Sequence, residues 1–285
     1  MPARVGRAAA ALLVIALVAL AGACGGDDEK GELILATTTS TQDSGLLDEL
    51  VPAFEADSGY TVKTVAVGTG QALELGEKGE ADVLLVHAPT SEDELVATGT
   101  TGRRLLVMHN DFLLVGPAAD PAGVQGQAAA AALAAIAEAG APFVSRGDDS
   151  GTHKLELALW TQAGVEPDGG WYEESGQGMG ATLQIADQKA AYTLVDRATY
   201  LASESRASSP ILVEGDASLL NVYHVIEMTT RAGDRVNEDG ARAFADFVVS
   251  AEAQALIGAF GVEEFGQQLF VPDAGKAEGA LAPAA

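Results

Sequence analysis

The stretch FVSRGDDSGTHKLELALW, Phe143–Trp160, sets Arg146, the carboxylates of Asp148 and Asp149, and the small residues Ser150, Gly151 and Thr152 directly ahead of an apolar-patterned segment. Two further loops share its character. Thr37 closes the apolar LILAT and Thr38, Thr39, Ser40 and Thr41 follow it, while Gly68, Thr69 and Gly70 follow YTVKTVAV. What these residues have in common is hydrogen-bond donation. A helix start exposes unpaired backbone N–H groups and the positive end of its dipole. Hydroxyls beside it complete a cradle for a small oxyanion, and one guanidinium adds several donors in a fixed fork. Plainer readings stand next to this one. Ser40 or Ser150 alone reads as a helix cap, and a single arginine on an acidic chain also suits a surface salt bridge. Asp148 and Asp149 would repel a fully ionised anion, so their role is to orient Arg146 or to cap N–H groups. A ligand that donated to either would have to carry a proton, as hydrogen phosphate does.

Other chemistries find little support. Ser150 and His153 are close in sequence, yet no G-x-S-x-G elbow is present and no triad assembles from their spacing. His87, His109, His153 and His224 are scattered and form no H-E-x-x-H pair. GQGMG, Gly176–Gly180, lacks dinucleotide-binding spacing. Cys24 is the one cysteine, so neither an internal disulfide nor a cysteine zinc site can form. No enzymatic activity, no metal and no cofactor are expected.

The donor loops need elements to hold them. Leu33–Thr37 reads as a buried strand, followed by a helix with apolar residues at Leu46, Leu47, Leu50 and Phe54. Tyr60–Val67 alternates like a strand, ALELGEKG is helical, and Ala81–Val86 is a second buried strand. That order is the βαβ rhythm of an α/β protein with a mostly parallel sheet. Further on, the alanine-rich Gly126–Gly140 predicts a helix. Phe143–Val144 predicts a strand, Thr152–Ala163 and Leu183–Lys189 helices, and YTLVDRATYLA a strand and a helical turn. Ile211–Val213 and Asn221–Glu227 read as extended, and Arg242–Ala259 as one long amphipathic pattern. Two lobes are expected, one from residues 32–115 and 217–272, the other from 116–216. The chain would cross near Phe112–Pro117 and Pro210–Ala217, and 273–285 would be a disordered tail. Each donor loop then lies at a strand end, the crevice where open α/β sheets bind ligands.

The first 23 residues join Arg4 and Arg7 to an apolar run that ends in small residues, the layout of a signal peptide. Residues 24–31 would be a polar tether that begins at Cys24. A net charge of −25 argues against nucleic acid as a partner, and serves solubility.

Four stretches, ILATTTSTQDSGLLDELVPAFE, VGTGQALELGEKGEADVLLVHAP, FVSRGDDSGTHKLELALW and GWYEESGQGMGATLQIADQKAAYTLVDRATYLA, resemble in that order the tungstate-binding proteins of bacterial ABC importers. These are type II periplasmic substrate-binding proteins. The resemblance implies a two-lobed α/β fold with mostly parallel sheets and a ligand cleft between the lobes. It implies capture of tungstate, with molybdate as the competing substrate, and delivery to an ABC permease. Thr38, Thr39 and Ser40 would contact the anion, with Thr69 as a second contact and Arg146, Ser150, Gly151 and Thr152 on the facing lobe. Cys24 resembles the lipid-modified first residue of a bacterial lipoprotein, placing a monomer on the extracytoplasmic face of the membrane. The family pattern departs at LLNVYHVIEMTT, where Val222 stands in a proline's place. An enzyme acting on a phosphate ester in the same crevice is the alternative from another class.

Overall fold

The computed structural model describes residues 30–203 and 208–281. The expected signal peptide, Cys24 and the tether up to residue 29 lie outside the described residues. The chain opens with β1 (Gly31–Thr38), the short α1 (Thr39–Asp43), α2 (Leu47–Ser58), β2 (Tyr60–Val67), α3 (Thr69–Glu77), β3 (Val83–Val86) and α4 (Pro89–Ala97). β1 pairs in parallel with both β2 and β3. All four residues of β3 are buried, which is why its sequence is an unbroken apolar run and not an alternation.

The next strand was not evident in the sequence. β4 (Thr101–Val115) is fifteen residues long and carries Arg103, Arg104, His109, Asn110 and Asp111, which interrupt any apolar pattern. Tertiary partners meet the charged ones: Arg103 binds Glu227, Arg104 binds Glu92, and Asp111 binds Arg197. Beyond β4 come α5 (Ala129–Ala139), β5 (Phe143–Ser145), α6 (Gly151–Gln162), β6 (Tyr172–Glu174), α7 (Met179–Gln188), β7 (Thr193–Asp196), α8 (Arg197–Ala202) and β8 (Ile211–Val213). β9 (Leu220–Met228), α9 (Glu238–Val248), α10 (Ala251–Ala259), α11 (Val262–Phe265) and β10 (Val271–Pro272) complete the described chain.

The main sheet runs β10-β4-β9-β3-β1-β2. Its character corrects the expectation of mostly parallel sheets. β1–β2, β1–β3 and the separate β5–β6 pair are parallel, but every pairing of β4 and β9 is antiparallel. The sheet is therefore mixed, because β9 returns from the middle of the chain and inserts between β3 and β4 in the opposite sense. β4 changes partners along its length: Thr101–Asp111 faces β9, whereas Phe112–Val115 faces β7 and its last two residues also β8.

Two large cores lie on either side of that change. One packs Leu33, Leu35, Leu50 and Phe54 against Phe244 and Phe247 of α9. The other packs Phe112–Val115 with Leu133, Ile136, Phe143, Trp160 and Tyr192. The single amphipathic pattern expected over Arg242–Ala259 belongs to two helical segments bent by 57°, counted from Glu238 and continued to Phe265. Ser250 explains the break, because its side chain accepts from Ala253 N and starts α10 afresh. Residues 273–281 also differ from a disordered tail. Asp273 is fully buried and accepts from His109 Nδ1, while Glu278 meets Arg104 and His224.

Candidate functional site

The loop after β1 supplies the first donors. Thr38 caps α1, accepting from Thr41 N at 3.2 Å. Its hydroxyl also lies 2.7 Å from Thr41 Oγ1, 2.9 Å from His87 Nε2 and 3.1 Å from Ser40 Oγ. Ser40 Oγ reaches the same ring nitrogen at 3.3 Å. Thr37 turns away and donates to Leu85 O. Thr39 is exposed and lines the outer cleft together with Arg146, Asp148 and Asp149.

The second loop starts α3. Gly68 occupies the cap position in extended backbone and offers no side-chain cap, so the first N–H groups of this helix have no capping side chain. Thr69 is 1 % exposed, and its Oγ1 has no hydrogen-bond partner among the described residues.

The third loop comes from the other core. β5 delivers Arg146, which is 5 % exposed and donates from Nε and Nη2 to Asp148 Oδ2. Asp148 also accepts from Ser150 N through Oδ1. Burial alone would raise the Asp148 pKa, but its bonds from Ser150 and the charge and bonds of Arg146 outweigh that and hold it below the usual carboxylate value. Asp148 thus orients the guanidinium, one of the two roles expected for it. Asp149 takes a left-handed backbone conformation, φ 56°, that turns the chain into α6. Ser150 caps that helix by accepting from His153 N. Gly151 and Thr152 are its first residues, Thr152 buried.

These loops meet. A Cβ placed on Gly151 would stand 3.2 Å from Thr69 Oγ1 and 3.3 Å from His87 Nδ1, so the start of α6 lies directly against the loops of the first core. This close approach is the local reason for a glycine there. Likewise a Cβ on Gly70 would be 3.7 Å from Asp149 Oδ2. The structure therefore brings Thr38, Ser40, Thr69 and Gly151 around one place. Arg146 is close enough for its charge to act on His87 and Asp196.

Several residues here were missed. His87 was set aside as one of four scattered histidines, yet it follows β3 and so obeys the strand-end rule that picked out the other loops. Asn221 donates from Nδ2 to Asn110 Oδ1 at 2.7 Å and to Tyr223 OH at 3.0 Å, all on β4 and β9 beside the ring. Asn110 Nδ2 is buried without a partner among the described residues. Asp196 is buried at the start of α8. Burial pushes its pKa up, against the bonds from Thr199 and the charge of Arg146. The stretch LLNVYH, flagged only for Val222, thus supplies Asn221 and Tyr223 to this polar cluster.

His87 is 6 % exposed and its pKa is lowered to about 4, chiefly by burial, with the Asn221 amide opposing and the charge of Arg146 adding. The ring is neutral at physiological pH. Between the ordinary histidine value and about 4, the unfolded chain binds a proton that the folded chain refuses, so stability falls as pH drops through that window. The His87 share of that loss should reach about 3 kcal/mol. Denaturant unfolding of wild type and His87→Gln at pH 7 and pH 4.5 measures it. The variant should lose clearly less stability on acidification, and equal losses would place His87 in contact with water.

Comparison with other proteins agrees with this architecture. Residues 22–252 match the PBP superfamily domain. The chain is 51 % identical over 250 residues to the tungstate-binding protein of Peptoclostridium acidaminophilum, covering 87 % of each. It is 50 % identical over 259 residues to a putative ABC transporter anion-binding protein of Haloferax volcanii, covering 89 % of this chain and 75 % of that one. The solved tungstate-binding protein of Desulfovibrio alaskensis G20 superposes with a TM-score of 0.75 at 45 % identity, over 86 % of this chain and 99 % of that one. A mixed-sheet α/β fold with two cores, donor loops meeting between them, and this identity over most of its length place the chain in the periplasmic-binding-protein superfamily, within the family of tungstate-binding proteins.

Proposed function

We propose that this protein is the extracytoplasmic tungstate-binding component of an ABC importer. It captures its ligand and hands it on unchanged, so it is not an enzyme. The observation that carries this reading is the meeting of donors from both cores. The unpartnered Thr69 Oγ1 lies against the start of α6, and Arg146 is buried nearby. Asp148, which lines the cleft, already accepts from Arg146 and from Ser150 N, so its accepting capacity is largely committed. Such a site suits a fully ionised tetrahedral dianion. It disfavours protonated phosphate, whose proton would stay unpaired. Sulfate is a dianion too, but smaller, and fills the cage less well.

Thr38, Thr39, Ser40, Thr69, Arg146, Ser150, Gly151 and Thr152 form the proposed binding set, and the carried ion is substrate and not a resident cofactor. The two cores form the lobes, residues 32–115 with 217–272 and 116–216, which close around the anion. Lipidation at Cys24 would hold a monomer at the membrane next to its permease. Calorimetric titration of the purified protein with tungstate, molybdate, sulfate and phosphate tests the function. Tight one-to-one tungstate binding with weaker molybdate is expected. Equal binding of the two metal oxyanions would make molybdate a second cargo. Binding of none would return the hydroxyl loops to helix caps.

A further inference from the structure

The hydroxyl of Thr38 is crowded by its own lobe. Thr41 N, Thr41 Oγ1, Ser40 Oγ and His87 Nε2 all lie within 3.2 Å of it. A hydroxyl donates one hydrogen and accepts two, and the Thr41 N–H already fills one acceptor place. The remaining donor and acceptor are taken by the other neighbours, so within the binding set above Thr38 serves a ligand through the ring it holds and not through its own hydroxyl. The opposite edge of the His87 ring differs. Nδ1 is buried and has no partner among the described residues. It lies 3.3 Å from the point where a Cβ on Gly151 would stand, and the equally unpartnered Thr69 Oγ1 lies 3.2 Å from that point. Two buried, unpartnered polar atoms from different loops therefore both abut the first turn of α6.

Resting on the oxyanion reading above, we infer that His87 grips the anion through a hydrogen on Nδ1, and that Thr38 fixes this tautomer by donating to Nε2. The hydrogen count then closes. Thr38 donates to the ring and accepts from Thr41 N and from one neighbouring hydroxyl. The other tautomer would carry its hydrogen on Nε2 and turn an Nδ1 lone pair toward the anion, which repels it. Asn221 commits its amide nitrogen to Asn110 and Tyr223 and shows only an oxygen to its surroundings, so it cannot supply the missing hydrogen. His87 is thus a contact residue, and Thr38 a positioning residue that acts through it. A hydrogen bond to a charged group changes affinity by about 10- to 100-fold when removed.

The test combines titration with nitrogen NMR of protein labelled at histidine, the His87 signals being assigned by their loss in His87→Gln. In wild type saturated with tungstate, Nδ1 should show the shift of a protonated, neutral-ring nitrogen and should move on tungstate addition. His87→Ala should bind tungstate about 10- to 100-fold more weakly. Thr38→Val should weaken binding and mix the tautomers, whereas Thr38→Ser should restore both. If wild type binds tungstate but His87 carries its hydrogen on Nε2, becomes an imidazolium, or does not respond, the inference fails and the function stands. If wild type binds no tungstate, both fail together.

Discussion

Arg146→Ala is expected to weaken tungstate binding by about two to three orders of magnitude while leaving the chain folded, because truncating one partner of a buried charged pair costs about 2–5 kcal/mol of affinity. The side chain is 5 % exposed, so its charge acts with little screening by water. Asp148 holds Nε and Nη2, which fixes the plane of the guanidinium and leaves Nη1 outside that clasp. The fold should tolerate the loss. Asp148 keeps its bond from Ser150 N and is 21 % exposed, so water can solvate the released carboxylate. Lysine is a poor substitute, since a single ammonium cannot fork between Asp148 and a ligand. Calorimetry on wild type, Arg146→Ala and Arg146→Lys, with thermal unfolding of each, separates binding from folding. Affinity unchanged in the alanine variant would reduce Arg146 to a partner of Asp148.

How far the sequence discloses this site depends on the kind of signal each residue leaves. Thr38, Thr69, Arg146 and Gly151 announce themselves through local chemistry, as hydroxyls, glycines and a guanidinium packed where a strand hands over to a helix. The structure brings them together because those strand ends face one gap. His87, Asn110, Asn221 and Tyr223 carry no such mark. They lie at or after strands, and their meeting depends on β9 inserting between β3 and β4, which no local pattern encodes. β4 itself was hidden for the same reason. Arg103, Arg104 and Asp111 look like loop residues until Glu227, Glu92 and Arg197 reach them from far along the chain. The expectation of a mostly parallel sheet followed from reading only the first βαβ unit. Local helices were more legible, except where a single serine cap, Ser250, divided one amphipathic pattern in two.

The largest expected effect on stability lies where β4 passes between the cores. Asp111 is fully buried, and Arg197 at the start of α8 meets it with two bonds, Nε to Oδ1 at 2.7 Å and Nη2 to Oδ2 at 2.6 Å. Nη2 also donates to Glu214, just beyond β8. One guanidinium thereby ties β4 to two elements of the second core. Arg197→Ala strands the Asp111 carboxylate where water cannot reach it, and breaking a buried pair in this way costs about 3–5 kcal/mol. Glu214 is half-exposed and stays hydrated, so its release adds little. For a chain of this size the melting temperature should fall by about 10 °C. A double variant separates the lost attraction from the stranded charge. Arg197→Met combined with Asp111→Leu should recover most of the stability, since an apolar pair of similar volume in place of a buried ion pair is often neutral or better. Recovery in the double variant would show that the pair serves the junction by mutual neutralisation. A double variant as unstable as Arg197→Ala would show that the bidentate geometry itself holds β4, α8 and β8 in register.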